Sequence, residues 1–303
     1  MKILIIGNSS IFKRKIYFAL KKFKNIKIEL ASRNKVKNIK VNKIYKSYNN
    51  AINTSDAKIV YISLINSKHF YWALKALDKN KHVIVDKPLT TNFKNTKKLL
   101  TIARKKKLLL SESVVFHYHK RFERIFSKIN FKKQTNIIAN FNVPSFKIDN
   151  FRNYLKFGGG CFQDMSAYAC YLIYIFFKNK KYSLISKKKI KNRFIDEFNL
   201  IAKSKNIFLK ASFSFNSSYK NELTINNNSK KFYLNYFFSP PINESLNTLI
   251  YNTNTKKKYI IKYKKQNVFH TYFQHLFRII RNKNYNYFYN QIKNVEKIKK
   301  KLF

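Results

Sequence analysis

Apolar and polar positions along the first ~115 residues switch repeatedly between two periods, one of the strand and one of the helix. Lys2 to Ile6 is an apolar run that stops at Gly7, the pattern of a buried first strand. Ile11, Ile16, Phe18, Ala19 and Phe23 then recur at helical spacing. Ile26 to Ala31 reads as a second strand and, after a polar stretch, Lys58 to Leu64 as another. Lys68 to Leu77 is helical, His82 to Val85 extended, Thr91 to Arg104 helical and Leu108 to Leu110 extended. Strands separated by helices imply a parallel sheet with right-handed crossovers. Sheets of that kind bind ligands beyond the carboxyl ends of their strands.

The pattern then changes. His119 to Ile129 has helical spacing, Thr135 to Phe146 reads as a strand, and Asp164 to Phe177 as a helix introduced by Gly158, Gly159 and Gly160. From Tyr182 to about Tyr263 the chain reads as consecutive strands with polar turns, among them Phe208 to Phe215 and Phe232 to Phe238. Val268 to Ile280 reads as a closing helix. Runs of strands with helices set to one side predict an α+β domain with a large, mostly antiparallel sheet. The predicted fold class is therefore α/β: a doubly wound parallel sheet over residues 1–117, then the α+β domain over 118–303, with no flexible linker between them. No period of 20 residues or more recurs, which argues against a solenoid.

Composition narrows this picture. Apolar types make up 45% of the 303 residues, enough for one large or two medium cores. The two cysteines, Cys161 and Cys170, argue against a disulfide scaffold and suit a reducing, cytoplasmic setting. The run after Met1 is too short for a signal-peptide core and no small-residue cleavage site follows it, so no leader is expected. Ala167 to Phe177 is too short to span a bilayer as a helix, and no membrane partner is expected. The 64 Lys and Arg against 13 Asp and Glu give a net charge of +51. Such a field attracts polyanions. However, the lysines run along the whole chain, Asn and Ile abound, and Gly and Pro number four each, as an AT-rich gene would encode. The charge therefore reads as compositional bias; the alternative, a nucleic-acid binding protein, predicts a clustered basic face. Self-repulsion should make stability depend on salt or bound anions.

The first strand leads into Gly7-Asn8-Ser9-Ser10-Ile11-Phe12. A dinucleotide fingerprint needs glycines here, so that backbone approaches a pyrophosphate at a helix N-terminus. Only the first glycine is present; Ser9 and Phe12 take the other two places, and Phe12 would crowd the pyrophosphate. The second strand ends in Ala31-Ser32-Arg33, without the acid that holds the ribose of NAD, and Ser32 with Arg33 suits a 2′-phosphate. Asn66 and His69 follow the next strand, and Asp86-Lys87-Pro88-Leu89 the one after. Lys87 thus lies just past a strand's carboxyl end, in a turn that Pro88 restricts. Leu109 to His119 contains Glu112, His117 and His119, and no further ligand cluster nearby supports a metal site. Asn150-Phe151-Arg152 precedes the triple glycine, and three of the chain's four glycines fall there, where backbone freedom or close approach is needed. Asp164 and Tyr168 are four apart and share one helix face.

In this order the motifs resemble the glucose–fructose oxidoreductase, inositol dehydrogenase and MocA family, most specifically from residue 56 to 177. That family has Asn-x-x-His after a strand, Glu-Lys-Pro-Leu after the next, and Gly-Gly-Gly followed by Asp and then His or Tyr four residues on. Here Asp86 replaces Glu, Ile65 a proline, His117 a common arginine, and Met165-Ser166 an apolar-Gly pair. The tyrosine version, with the aromatic-proline segment Phe237 to Pro241, is similar to the branch holding dihydrodiol dehydrogenases, mostly NADP-linked. The resemblance implies a Rossmann first domain and NADP, with NAD as second choice. The implied substrate is a sugar, nucleotide sugar, polyol or cyclic diol, and the implied assembly a dimer or tetramer. It implies Tyr168 as general acid/base, Lys87 as the ammonium that lowers its pKa, and Asp164 as orienting group or hydroxyl ligand. Cofactor contacts are implied at Gly7, Ser9, Ile11, Ser32, Arg33, Leu64, Asn66, His69, Asp86, Lys87, Glu112 and Arg152. The departures at Ser9, Phe12 and Met165-Ser166 leave a second reading, a relative that has lost catalysis and keeps a binding role.

Overall fold

The computed structural model describes residues 1–191 and 194–302. By its own contacts the chain divides into two compact units. The first comprises Met1–Val114, Lys156–Gly158 and Phe269–Glu296, and the second Val115–Leu155, Gly159–Val268 and the chain from Lys297 onward.

The first unit holds a six-stranded parallel sheet. Its strands are β1 (Lys2–Ile6), β2 (Lys27–Ala31), β3 (Lys43–Tyr45), β4 (Ile59–Ile62), β5 (His82–Asp86) and β6 (Leu110–Ser113). They lie in the order β3-β2-β1-β4-β5-β6, every pair parallel. Ile3 to Ile6 and Val83 to Val85 are completely buried, as expected of strands covered on both faces. The order reverses between β1 and β4, and at such a switch point the flanking loops part and leave a crevice. A π-helical turn, Phe12–Ile16, runs into α1 (Tyr17–Lys21); α3 (His69–Asp78) and α4 (Phe93–Lys105) follow β4 and β5. The polar stretch before β4 contains β3 and α2 (Tyr48–Thr54), which hydrophobic periodicity alone did not predict. Three residues of edge strand carry too little pattern, and α2 is started by a cap, Ser47, whose hydroxyl accepts from Asn50 N–H.

The second unit carries α5 (Lys120–Phe126), α6 (Cys161–Phe177) and eight strands. These are β7 (Thr135–Asn142), β8 (Ser183–Lys191), β9 (Phe194–Lys203), β10 (Ile207–Ser214), β11 (Lys220–Asn227), β12 (Lys230–Asn235), β13 (Leu246–Asn252) and β14 (Lys258–Tyr263). They lie in the order β14-β13-β12-β11-β7-β10-β9-β8, antiparallel except for β7 with β10. One face buries Ile137, Ala139, Leu200, Leu209, Phe213, Leu223 and Leu234, and α6 lies against β9 and β10. The other face carries one continuous cross-strand row: Ile185, Ile201, Lys210, Ile138, Thr224, Tyr233, Leu249 and Ile260. Ile138, Ile185, Ile201 and Ile260 are exposed there.

Two helices close the chain, α7 (Val268–Arg281) and α8 (Asn286–Leu302). Most of both counts with the first unit. Tyr272 of α7 shares a 2.7 Å hydrogen bond with the Ser111 hydroxyl, and Tyr289 of α8 donates to the carbonyls of Leu108 (2.6 Å) and Ala103 (3.0 Å). The helix α8 was not predicted, because its buried Phe288, Ile292, Val295 and Ile298 are diluted by lysines and asparagines. No helix among the described residues is long and apolar enough to cross a membrane.

Candidate functional site

The loop after β1 lies at the switch point of the parallel sheet. Gly7 has φ +104° and donates its N–H to Ala31 O at 3.0 Å. A Cβ at this position would collide with the Ser63 carbonyl and the Leu64 side chain, so backbone sterics require glycine here. The Oδ1 of Asn8 is buried and meets no donor among the described residues. Ser9 Oγ accepts the Phe12 N–H at 3.1 Å and lies 2.6 Å from Ser63 Oγ at the end of β4. Ser63 donates to Asp86 Oδ2 at 2.5 Å, and Tyr61 donates to Asp86 Oδ1. Hydroxyls thus tie the ends of β1, β4 and β5 to one carboxylate. Burial pushes the Asp86 carboxyl up, while the hydroxyl bonds and the nearby Lys87 and His69 pull it down. Burial, with the Asp86 charge second, pushes the Tyr61 phenol well above its ordinary value.

Phe12 does not crowd this loop: its ring is wholly buried, 6.2 Å edge-on from Tyr17. A glycine in that place lets helix and strand approach closely. With phenylalanine there, the helix instead opens on a wider π turn. Ile11 and Leu64 are half-buried beside the loop. At the end of β2 the Ser32 hydroxyl donates to Asn34 O at 2.8 Å, and Arg33 is exposed with its guanidinium 5.0 Å above the Tyr48 ring.

Beyond β4, Asn66 is buried and donates to Gly158 O at 2.9 Å. The His69 ring is wholly buried, with Nδ1 2.7 Å from Pro88 O and Nε2 3.0 Å from Leu64 O. It joins the two loops, and burial pushes its pKa down. Glu112 of β6 accepts the Leu89 N–H at 2.8 Å. His69 and Glu112 thereby hold, through Pro88 and Leu89, the turn that carries Lys87, whose side chain is half-buried.

In the second unit, Arg152 organises the start of α6. Its carbonyl accepts the Gly160 N–H at 2.8 Å, its Nε donates to Asp164 Oδ2 at 3.2 Å, and its guanidinium lies 4.6 Å from the Phe151 ring centre. Asp164 is buried and ion-paired to Arg152. Tyr168, one turn on and half-buried, has its ring among Phe116 (6.3 Å), Phe141 (5.2 Å) and Phe238 (5.7 Å). Phe238, from the aromatic-proline segment, is held by its N–H bonding Asn221 Oδ1 at 2.7 Å. His119 caps α5 with Nδ1, and burial brings its pKa down to about 4. No group of three or more His, Cys, Asp or Glu that suits a metal ion occurs among the described residues.

Several of these residues escaped the sequence reading. Asn8, Tyr61 and Ser63 carry no motif of their own, and Phe141 sits on β7, where phenylalanine reads as ordinary core. At Gly158, whose φ is +76°, a Cβ would stand 2.7 Å from Asn66 Cβ and 2.8 Å from Thr91 Cγ2. Gly158→Ala should therefore lower stability by about 1–3 kcal/mol through left-handed strain and overlap. Urea denaturation of the variant measures this, and an unchanged midpoint would show that the segment relaxes freely.

Comparison with known proteins places the chain among relatives of similar fold. A 124-residue stretch, 40% of this chain, is 32% identical to a dTDP-3,4-didehydro-2,6-dideoxy-α-D-glucose 3-reductase of Saccharopolyspora spinosa and spans 37% of that protein. A trans-1,2-dihydrobenzene-1,2-diol dehydrogenase of Xenopus tropicalis is 24% identical over 160 residues, 52% of this chain and 48% of that one. The crystal structure of KijD10, a 3-ketoreductase from Actinomadura kijaniata in complex with NADP and TDP-benzene, superimposes with a TM-score of 0.87 at 18% identity. The superposition covers 98% of this chain and 94% of that one; at such identity the likeness is one of fold. The family model for the glucose–fructose oxidoreductase, inositol dehydrogenase and MocA group, described as an oxidoreductase family with an NAD-binding Rossmann fold, matches residues 1–114.

Proposed function

We propose that the chain is a cytoplasmic NADP(H)-preferring oxidoreductase acting on a CH–OH or C=O group of a sugar, nucleotide sugar, polyol or cyclic diol. The observation that carries this reading is the loop of Gly7 at the β1/β4 switch point, where bare backbone and the unmet acceptor of Asn8 suit a dinucleotide. The residues present fit the cofactor: Gly7 to Ile11 for the pyrophosphate side and Arg33, exposed at the end of β2, for a 2′-phosphate. The relatives acting on dTDP-sugars and a dihydrodiol support an alcohol or carbonyl substrate.

A bound nicotinamide would supply the hydride chemistry; the chain supplies position and protons. Tyr168 Oη gives or takes the proton of the substrate oxygen. A phenol with a pKa of about 10 needs a cation to work at neutral pH, and we assign that part to Lys87. Asp164, ion-paired to Arg152, serves as an orienting group or as a ligand for a substrate hydroxyl. The packing of Phe141 and Phe238 on the phenol ring keeps Tyr168 oriented.

We infer further that the chain acts as a homo-oligomer joined through the exposed face of the eight-stranded sheet. The supporting observation is the apolar row from Ile185 to Ile260. Lys210 lies within that row, so association should strengthen with salt.

Three measurements check these readings. Tyr168→Phe should cut turnover at least about a hundredfold while changing NADPH affinity less than about twofold. Full activity in the variant would remove Tyr168 from the chemistry. Arg33→Ala should weaken NADPH about tenfold to a hundredfold and leave NADH nearly unaffected, and equal effects on both would refute the 2′-phosphate role. Light scattering should return a multiple of the chain mass, and Ile138→Lys should return a single chain. A monomeric wild type at high salt would contradict the oligomer.

A further inference from the structure

Position 9 holds a serine where the fingerprint has its second glycine, and that hydroxyl is fully engaged. The hydrogen positions along its bonds follow from donor chemistry. Phe12 N–H only donates, so Ser9 Oγ accepts it. An ionised Asp86 only accepts, so both of its neighbours, Tyr61 and Ser63, donate. Ser63 has then used its one proton on Asp86, and the 2.6 Å contact is Ser9 donating to Ser63. The chain runs one way, from a helix N-terminal amide through two hydroxyls to a carboxylate. It links residues 54 and then 23 positions apart.

We propose that Ser9, Ser63 and Asp86 form a hydrogen-bonded relay that holds the cofactor loop in its binding shape before ligand arrives and ties that loop to the turn bearing Lys87. This rests on the NADP(H) reading given above. Three features carry it. The relay spans the switch point, bonding the β1 loop to the end of β4 and that strand to β5. It occupies the Phe12 N–H, which a glycine at position 9 would leave open to a phosphate. Asp86 is the residue before Lys87, so fixing its carboxylate fixes the strand end from which Lys87 departs. A loop with one glycine in place of three gains its order from side-chain bonds, and a ligand then meets a smaller ordering cost. Ser9, Ser63 and Asp86 are positioning residues in this scheme.

Two readouts test it, one of which needs no cofactor. Ser63 does not bond Phe12 directly, so hydrogen exchange at the Phe12 amide reports on the relay. Ser63→Ala should speed that exchange at least about fivefold in the cofactor-free protein, while amides in the middle of β1 keep their protection. For NADPH affinity, followed by fluorescence titration, Ser9→Ala and Ser63→Ala should each weaken binding about fivefold to twentyfold. The double variant should be no weaker than the worse single one, since one chain is cut once or twice. Ser63→Thr, which keeps the hydroxyl, should restore both readouts and also serves as the folding control. The relay is refuted if Phe12 exchange ignores Ser63→Ala, if the two losses multiply, or if Ser9→Gly binds NADPH more tightly than the wild type. Failure of the wild type to bind NADPH, with Phe12 exchange still answering to Ser63, would sink the functional reading and leave the preformed loop standing.

Discussion

One backbone oxygen, the carbonyl of Ser63, stands where a side chain at position 7 would go. That close approach of the β4 end to the β1 loop is the constraint from which the rest of the first unit follows. It requires glycine at position 7 and brings the serines at 9 and 63 within hydrogen-bond reach, at the point where strand order reverses. Neighbouring loops are then fixed by groups that reach backbone: His69 to Leu64 and Pro88, Glu112 to Leu89, Asn66 to Gly158. The result is a rim of strand ends held by side chains in a chain almost devoid of loop glycines.

Charge gives the same economy a second reading. Only 13 acids face 64 lysines and arginines, and several of them are withdrawn from the surface. Glu29, Glu112, Asp164 and Glu296 are buried. Glu29 accepts from Tyr45 (3.0 Å) and Ser55 (2.7 Å), and Glu296 accepts from Thr96 at 3.2 Å. A buried carboxylate that receives two or more donors is a strong anchor, since each such bond is charge-assisted. Part of the scarce negative charge therefore anchors buried groups, and the outer surface is left strongly basic and sensitive to salt.

Much of this was legible in the sequence because period and punctuation survive compositional bias. Apolar runs ending at Gly7, Ala31 and Asp86 marked the parallel strands, and the runs Thr135 to Phe146, Phe208 to Phe215 and Phe232 to Phe238 marked β7, β10 and β12. The triple glycine located the start of α6, although the helix begins three residues earlier than its apolar pattern, at Cys161. What bias erased was amphipathic contrast: α8, whose polar face is lysine and asparagine throughout, reads as a charged tail. At the site, residue types and their order were readable, but pairings were not. That Arg152 holds Asp164, that Phe238 packs on Tyr168, and that Tyr61 donates to Asp86 depend on contacts across 12, 70 and 25 positions, invisible to spacing along one element. Ser9 looked like a defect in a fingerprint, and only the position of Ser63 turns it into a bond.

We propose that a nicotinamide dinucleotide binds at the β1/β4 switch point. Backbone amide shifts recorded on adding NADPH test it most directly. Saturable shifts are expected at Gly7, Asn8, Ile11 and Arg33, all in the segments that follow β1 and β2. Amides at these positions that stay still at millimolar cofactor, or shifts confined to the strands of the second unit, would contradict it.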